Sequence, residues 1–257
     1  MNYKLVEKNL IGVAGDWHGN GDWAERIIKR LADKGVRKIV QVGDFGLWPG
    51  MDGMRYLDQV NAHARRYGVK VMALMGNHDW NDEWGRLVDN NPPELSTGGV
   101  YVRSHIVLLP RTGHFFLGDE SVLRRVAVAG GAVSIDKRQR VMGTSWWAEE
   151  ELTDREVDAF PERQVDILFT HDCSNRTPFK ERIKPDLDSH IHRQRIDRVL
   201  AKTAPKLHFH GHMHEWYDWV NQTGPSSYTQ TYGLNMDGTS KSTGILDLTD
   251  LSFKVVI

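Results

Sequence analysis

Cysteine is almost absent from this sequence, and long apolar runs are absent altogether. Cys173 is the only cysteine in 257 residues, so no internal disulfide can form, and a reducing compartment such as the cytoplasm is the expected location. No apolar stretch approaches the roughly 20 residues that a membrane-spanning helix needs, and charged residues interrupt the N-terminal segment. We therefore expect neither a disulfide-stabilised scaffold nor a membrane partner.

An excess of positive charge is also missing. Lys and Arg number 33 against 34 Asp and Glu, whereas proteins that bind long nucleic acids through their phosphates present a strongly basic surface. A long nucleic acid is therefore not the expected partner. The composition, 40% hydrophobic and 26% charged, is ordinary for a globular protein, and the length suits one large domain over residues 1–257.

The first 80 residues alternate between short apolar runs and helical stripes. Strands are predicted for LIGVAG, RKIVQVG and VKVMALMG, and the helices between them start near Asp22 and Asp52. Gly35 and Gly68 follow the two helical stripes and are typical of helix ends. Two strand-helix-strand units in succession predict an α/β layered fold.

The middle of the chain is less regular. Further strands are predicted for GGVYVRSHIVLLP, RRVAVAGGAV, VDILFTH and PKLHFHGHMH, with residues 111–120 as a turn. Thr153 and Glu156 form a capping box before a short helix, residues 188–202 form another helix, and the C-terminal segment is predicted to be an antiparallel hairpin. The stretch from Gln222 to Ser242 is either a mobile wall over a site or an inert loop.

Five of the apolar runs end in residues that can bind metal ions. Because the carboxyl ends of parallel strands meet at one edge of a sheet, we expect these side chains to converge. The candidate ligands are Asp16, His18, Asp44, Asn77, His171, His212 and His214.

The chemistry of this set indicates a centre of two ions. Nitrogen and oxygen ligands without a thiolate suit Mn, Fe, Zn or Ni better than Ca. Seven ligands are too many for one such ion, but two ions about 3.5–4 Å apart that share a carboxylate would use all of them. His78 is left beside the cluster, where an imidazole can protonate a leaving alkoxide.

The blocks GDWHG, GDFG, GNHD, TH and GHMH, in this order over residues 15–214, resemble the signature of the calcineurin-like metallophosphoesterases. The resemblance implies an α/β/β/α sandwich of two mixed sheets flanked by helices. It also implies two divalent metal ions, manganese first among the candidates, and a hydroxide between them as the nucleophile. In that family one ion is bound by the residues matching Asp16, His18 and His214, the other by those matching Asn77, His171 and His212, and the residue matching Asp44 bridges them.

The same resemblance implies that His78 contacts the phosphate and acts as general acid. Where Ser/Thr protein phosphatases read GDxVDRG, this chain reads GDFGLWPG and lacks the second Asp and the Arg. That departure favours a phosphodiesterase acting on cyclic or short nucleotides. A phosphomonoesterase, a nuclease and a non-catalytic metal-binding scaffold are the alternatives. What orients His78 is left open, and Asp79 is the nearest substitute in sequence.

Aromatic and basic residues surround the predicted site. Trp17, Trp48 and Trp80 each lie within four residues of a candidate ligand and are predicted, with Asn77 and His78, to contact substrate by stacking or hydrogen bonding. Core packing is the alternative for the tryptophans. Three arginines, Arg103, Arg111 and Arg176, are candidates for holding a phosphate. His208 and His210 are left out of the ligand set.

Overall fold

The structure is a computed structural model that describes residues 9–178, 187–224 and 227–257. The strands in these ranges are β1 Leu10–Ala14, β2 Lys38–Gln41, β3 Lys70–Ala73, β4 Val100–Arg103, β5 Ile106–Leu108, β6 Thr112–Asp119, β7 Val122–Ala129, β8 Ile167–Thr170, β9 Leu207–His210, β10 Tyr217–Gly224, β11 Ser227–Gly233, β12 Thr243–Asp247 and β13 Ser252–Val255. The α-helices are α1 Gly21–Asp33, α2 Gly50–Tyr67, α3 Asn81–Asn90, α4 Asp154–Ala159 and α5 Leu187–Thr203.

The strands form two mixed sheets. The first has the order β13-β12-β1-β2-β3-β5-β4, in which β1, β2, β3 and β5 run parallel. The second has the order β10-β11-β9-β8-β7-β6, with β7, β8, β9 and β11 parallel. In each sheet the parallel strands therefore bring their carboxyl ends to the same edge.

Successive side chains on each strand point to opposite faces of its sheet. One face packs against the other sheet, and the opposite face packs against helices. Ile11 and Val13 on β1 pack with Phe169 and Phe209 in the core between the sheets. On the outer face of the first sheet, Ala14 packs with the buried stripes of α1 and α2, and a third cluster joins β7 and β8 to α4 and α5. The result is the α/β/β/α sandwich that the family resemblance implied, and it agrees with the α/β layers predicted from the apolar runs.

The early helices form where the apolar stripes predict them. Trp23, Ile27 and Leu31 are buried on one side of α1, and Asn20 caps its first turn by accepting a hydrogen bond from the Trp23 N–H. Gly68 ends α2 in the left-handed conformation, with φ +62°, as a C-terminal glycine does. The capping box of Thr153 at the start of α4 is confirmed.

The predicted turn over residues 111–120 is wrong. Residues Thr112–Asp119 form β6, which pairs antiparallel with β7 along its full length. Phe115 and Leu117 are buried from this strand. Gly113 and Gly118 weaken the strand pattern in sequence, and only pairing with β7 at the edge of the sheet makes the segment extended.

None of the helices in the described ranges is long and apolar enough to cross a membrane. The N-terminal charged residues that were expected to interrupt an apolar run lie in residues 1–8, outside the described ranges.

Candidate metal centre

The predicted ligands meet at the edge where the parallel strands of both sheets end. Asp16, Asp44 and Asn77 follow strands of the first sheet, and His171 and His212 follow strands of the second. The site therefore lies at the junction of the two sheets and takes residues from each.

The first pocket is formed by Asp16, His18, Asp44 and His214. Each offers a nitrogen or oxygen atom, and these atoms all lie within 4.8 Å of one another. His214 Nε2 is 3.1 Å from Asp16 Oδ2, and His18 Nε2 is 3.4 Å from Asp44 Oδ2. Two carboxylates and two imidazoles in this space form a donor set suited to a divalent transition metal.

The second pocket is formed by Asp44, Asn77, His171 and His212. His171 Nε2 is 2.9 Å from Asn77 Oδ1 and 3.3 Å from Asp44 Oδ1. The His212 ring centroid lies 5.1 Å from that of His171. Asp44 thus turns one oxygen to each pocket, which is the position that a bridging carboxylate requires.

The backbone is unusual at these ligands. His18, Asp44, His212 and His214 all have positive φ, from +44° to +64°, a region that non-glycine residues adopt at a cost of about 1–3 kcal/mol. They are four of the seven non-glycine residues with positive φ in the described ranges. The chain turns sharply at each strand end, and the surrounding loops hold the ligand side chains toward the centre.

Glycines next to the ligands allow these loops to approach one another. Gly43 has φ +109°, and a Cβ there would overlap the imidazole of His171. A Cβ on Gly211 would overlap the carboxylate of Asp16. Glycine is therefore required before Asp44 and before His212, because any larger residue would displace a ligand that comes from another part of the chain.

Burial and charge show that the pockets fit cations. Asp16 and Asp44 are buried, and among the described residues Asp16 Oδ1 and Asp44 Oδ2 have no hydrogen-bond partner. Buried carboxylate oxygens of this kind require a positive charge nearby. Burial lowers the pKa of His18 and His171, but the nearby carboxylates, Asp44 foremost and then Asp16, contribute most to raising each to about 10. The centre attracts positive charge, which two divalent ions would supply.

The backbone of His78 is fixed from two sides. Its N–H donates to Asp44 Oδ1 at 2.8 Å, and its carbonyl accepts a hydrogen bond from Trp48 Nε1 at 3.1 Å. The ring lies close to the first pocket, with Nε2 4.0 Å from Asp44 Oδ2. Burial lowers the pKa of His78. Contacts from neighbouring loops therefore orient this residue without the second aspartate of the protein phosphatases.

Asp79 does not orient His78, contrary to what its place in the sequence suggests. Its buried carboxylate accepts hydrogen bonds from the backbone N–H groups of Phe45, Gly46, Leu47 and Gly76. Asp79 therefore ties the loop that carries Asp44 to the loop that carries Asn77.

Arg140 contacts His78 and was missed by the sequence interpretation. Its Nη2 lies 2.8 Å from His78 Nδ1 and 3.0 Å from Nε2, while Asp136 holds Nε at 2.8 Å. The segment GGAVSIDKRQR ends with this residue, but periodicity gives no sign that its loop folds back over His78. The three arginines proposed from sequence lie elsewhere. Arg103 contacts Asp58, Arg111 contacts Glu156 and Arg176 donates to the Gln222 carbonyl.

The predicted tryptophan contacts separate into different environments. Trp17 is completely buried against Phe45, so it is a core residue and its predicted contact with substrate is wrong. Trp80 is half-buried against the core of the first sheet. Trp48, 36% exposed and bonded to the His78 carbonyl, is the one of the three whose position suits a ligand.

His208 and His210 lie beneath the centre in the second sheet. Their side chains are buried, with His208 Nε2 bonded to Thr170 Oγ1 and His210 Nε2 to the Tyr217 hydroxyl. Burial lowers the pKa of both. Both rings therefore have hydrogen-bond partners within the second sheet.

The model of the calcineurin-like phosphoesterase family matches residues 10–216, and the chain belongs to this family. No curated protein matches the sequence significantly. Among solved structures, the chain resembles a dimetal phosphatase from Danio rerio at 13% identity, covering 93% of this chain and 92% of that one, with a TM-score of 0.57. It also resembles the protein TT1561 of Thermus thermophilus at 14% identity, with coverages of 96% and 98% and a TM-score of 0.53. At these identities the likeness shows the shared fold.

Proposed function

We propose that this chain is a two-metal phosphodiesterase that hydrolyses small phosphodiesters such as cyclic or short nucleotides. The observation that carries the proposal is the pair of pockets that share Asp44, with His78 and Arg140 at their rim. Since the ligands come from strands of both sheets, we also propose that residues 1–257 form one phosphoesterase domain.

The seven predicted ligands are proposed to hold the two ions, and manganese is the proposed metal. The first pocket supplies Asp16, His18 and His214, the second supplies Asn77, His171 and His212, and Asp44 belongs to both. When bound, the ions would supply Lewis-acid stabilisation of the charge that develops on the phosphoryl oxygens.

His78 is the proposed general acid. It lies beside the first pocket and belongs to neither proposed ligand set, so no metal ion would occupy its ring nitrogens, and Arg140 is the side chain that contacts them. The bonds from Asp44 and Trp48 to its backbone hold the ring at the rim. From there the imidazole can protonate the oxygen of the leaving alcohol, which a metal-ligating histidine cannot do.

An exposed apolar surface at the rim favours a diester over a monoester. Arg140, whose guanidinium contacts His78, supplies positive charge that either ester could use. The second ester group of a diester needs a surface of its own. Trp48, Val141 and Met142 are 36%, 63% and 71% exposed. Trp48 is bonded to the His78 carbonyl, and Val141 and Met142 directly follow Arg140 in the sequence. This surface suits an apolar or aromatic substituent, including a nucleobase.

A paired assay tests the proposal. Chelator-stripped protein is expected to be inactive, and Mn²⁺ should restore cleavage of a bis-aryl phosphodiester with much lower turnover of the matching aryl monoester. Cyclic and linear dinucleotides would then be compared at the same metal concentration. The reason is that the ions supply most of the positive charge at the reacting phosphate.

Each outcome of this assay selects one function. Faster turnover of the monoester would replace the diesterase with a phosphomonoesterase. Cleavage of long single strands in preference to dinucleotides would indicate a nuclease. Two bound Mn²⁺ per chain with no turnover of any of these substrates would favour a non-catalytic scaffold.

Replacing Arg140 tests its proposed role in holding the phosphate. Arg140→Ala should raise KM for the diester about 10- to 100-fold, because a charge-assisted hydrogen bond is worth about 1.5–3 kcal/mol. Arg140→Lys should recover only part of this, since an ammonium lacks the planar fork of donors. The control is Arg138→Ala, an exposed arginine two residues away. Equal KM values for the Arg138 and Arg140 variants would show that Arg140 does not hold the phosphate.

A further inference from the structure

Asp237 contacts the first pocket from a segment outside the family match. It lies in the loop after β11, and its Oδ1 is 2.9 Å from His18 Nδ1. Its Oδ2 accepts a hydrogen bond from Asn20 Nδ2 at 2.7 Å, and its backbone N–H donates to the Asp16 carbonyl at 2.8 Å. Asp237 is thus joined to two residues of the pocket and to the residue that caps α1.

These bonds determine which nitrogen of His18 faces the pocket. Nδ1 points to Asp237, so Nδ1 carries a proton and donates it to the carboxylate. Nε2, on the other side of the ring, lies 3.4 Å from Asp44 Oδ2. Nε2 is thus the nitrogen that would bind a metal ion, and the Asp237 bond keeps the ring in the orientation and tautomer that such binding needs.

The second pocket has an equivalent arrangement on a different residue. Asn77 Nδ2 donates to Ser134 Oγ at 2.9 Å. Ser134 Oγ in turn donates to Glu150 Oε2 at 2.6 Å, and the Ser134 N–H donates to Glu150 Oε1 at 2.7 Å. Ser134 and Glu150 are both buried, so this chain of bonds is shielded from water.

This chain of bonds determines the orientation of the Asn77 amide. The Ser134 hydroxyl has one proton and gives it to Glu150, so toward Asn77 it can only accept. The Asn77 group that faces Ser134 must then be the NH₂. Its oxygen consequently faces the second pocket, 2.9 Å from His171 Nε2.

We propose that Asp237, through His18, and Glu150, through Ser134 and Asn77, are positioning residues that each orient one ligand of a different metal pocket. This inference rests on the proposed function, because it requires that His18 and Asn77 bind metal ions. It assigns a role to the loop between β11 and β12, part of a stretch for which the sequence left a mobile wall or an inert loop as alternatives.

Metal titration of single variants is the first test. Wild-type protein should bind two Mn²⁺, counted by the electron paramagnetic resonance signal of the free ion. Asp237→Asn and Ser134→Ala should each weaken one of the two affinities about 10- to 100-fold, the usual effect of removing an outer carboxylate or hydroxyl partner of a ligand. Asp89→Asn, an exposed carboxylate of α3, is the charge control and should bind as wild type.

Double variants show through which ligand each residue acts. Asp237→Asn should add little to the loss caused by His18→Ala but should keep its full effect beside Asn77→Ala. Ser134→Ala should behave in the opposite way. A merely structural role would weaken metal binding in both backgrounds, so equal effects of Asp237→Asn in the two would overturn its assignment.

If Asp237→Asn does not fold, the wild-type protein answers the question. In the Zn²⁺-loaded form with ¹⁵N-labelled histidine, His18 should carry its proton on Nδ1 and exchange it slowly, whereas a proton on Nε2 overturns the assignment. Unchanged affinities in folded Asp237→Asn and Ser134→Ala would overturn this inference alone. Wild-type protein that binds neither Mn²⁺ nor Zn²⁺ would contradict the metal centre itself, and with it both proposals.

Discussion

Replacement of Asp44 by alanine is expected to abolish binding of two ions and to lower kcat/KM for the diester by at least about 10³-fold. Among the described residues, Asp44 is the side chain whose oxygens face both pockets, at 3.4 Å from His18 Nε2 and 3.3 Å from His171 Nε2. A metal pair contributes several kcal/mol to the transition state, and each 1.36 kcal/mol is a factor of ten in rate. Titration with Mn²⁺ and steady-state kinetics measure the two effects.

Two further variants separate the bridge from the other contact of Asp44. Asp44→Asn keeps an oxygen that can accept the His78 N–H but lacks the negative charge, so it should still lose most of the activity. Asp52→Asn, an exposed carboxylate on α2, should be as active as wild type. Full activity of Asp44→Ala with two bound ions would sink the two-metal mechanism.

Loss of the His78 imidazole should slow the reaction about 10²- to 10⁴-fold without weakening metal binding. This is the usual contribution of a general acid, and His78 belongs to neither ligand set. The loss should depend on the leaving group. An alkoxide needs a proton when it departs and an aryl oxide needs it much less, so His78→Ala should slow an alkyl ester far more than a bis-aryl diester. Rates on a series of esters with different leaving alcohols measure this.

The control for His78 is His63→Ala on α2, where the imidazole pairs with Glu25 at 3.3 Å. This variant should match wild type on every ester. If His78→Ala lost the same factor for all leaving groups, the proton would come from another group, and His78 would only bind the phosphate. A drop in the number of bound Mn²⁺ would instead make His78 a ligand.

The fold was predictable where apolar residues recur at helix or strand spacing within a short segment. The stripe of Trp23, Ile27 and Leu31 on α1 and the apolar runs that became β1 to β3 are local patterns, because the helix and strand periods are properties of the chain itself. The strand over Thr112–Asp119 was not predictable in this way. Its glycines resemble turn residues, and its extended form depends on pairing with β7.

The same division holds for the candidate site. Asp16, Asp44, Asn77, His171 and His212 were selected because each follows an apolar run, and parallel strands must end at the same edge. Arg140, Ser134 and Asp237 have no such local mark. Arg140 reaches His78, and Ser134 and Asp237 reach ligands, from loops whose path is determined by packing against the rest of the protein.

The sequence by itself therefore determined the layered α/β fold, the family and the candidate metal ligands, since apolar runs and motif spacing are local features of the chain. The tertiary structure decided the rest. It buried Trp17, left Trp48 exposed beside His78, and placed an arginine and two outer carboxylates around the centre. The physical reason is that burial and side-chain contacts between distant loops depend on how the two sheets pack, which no short-range pattern encodes.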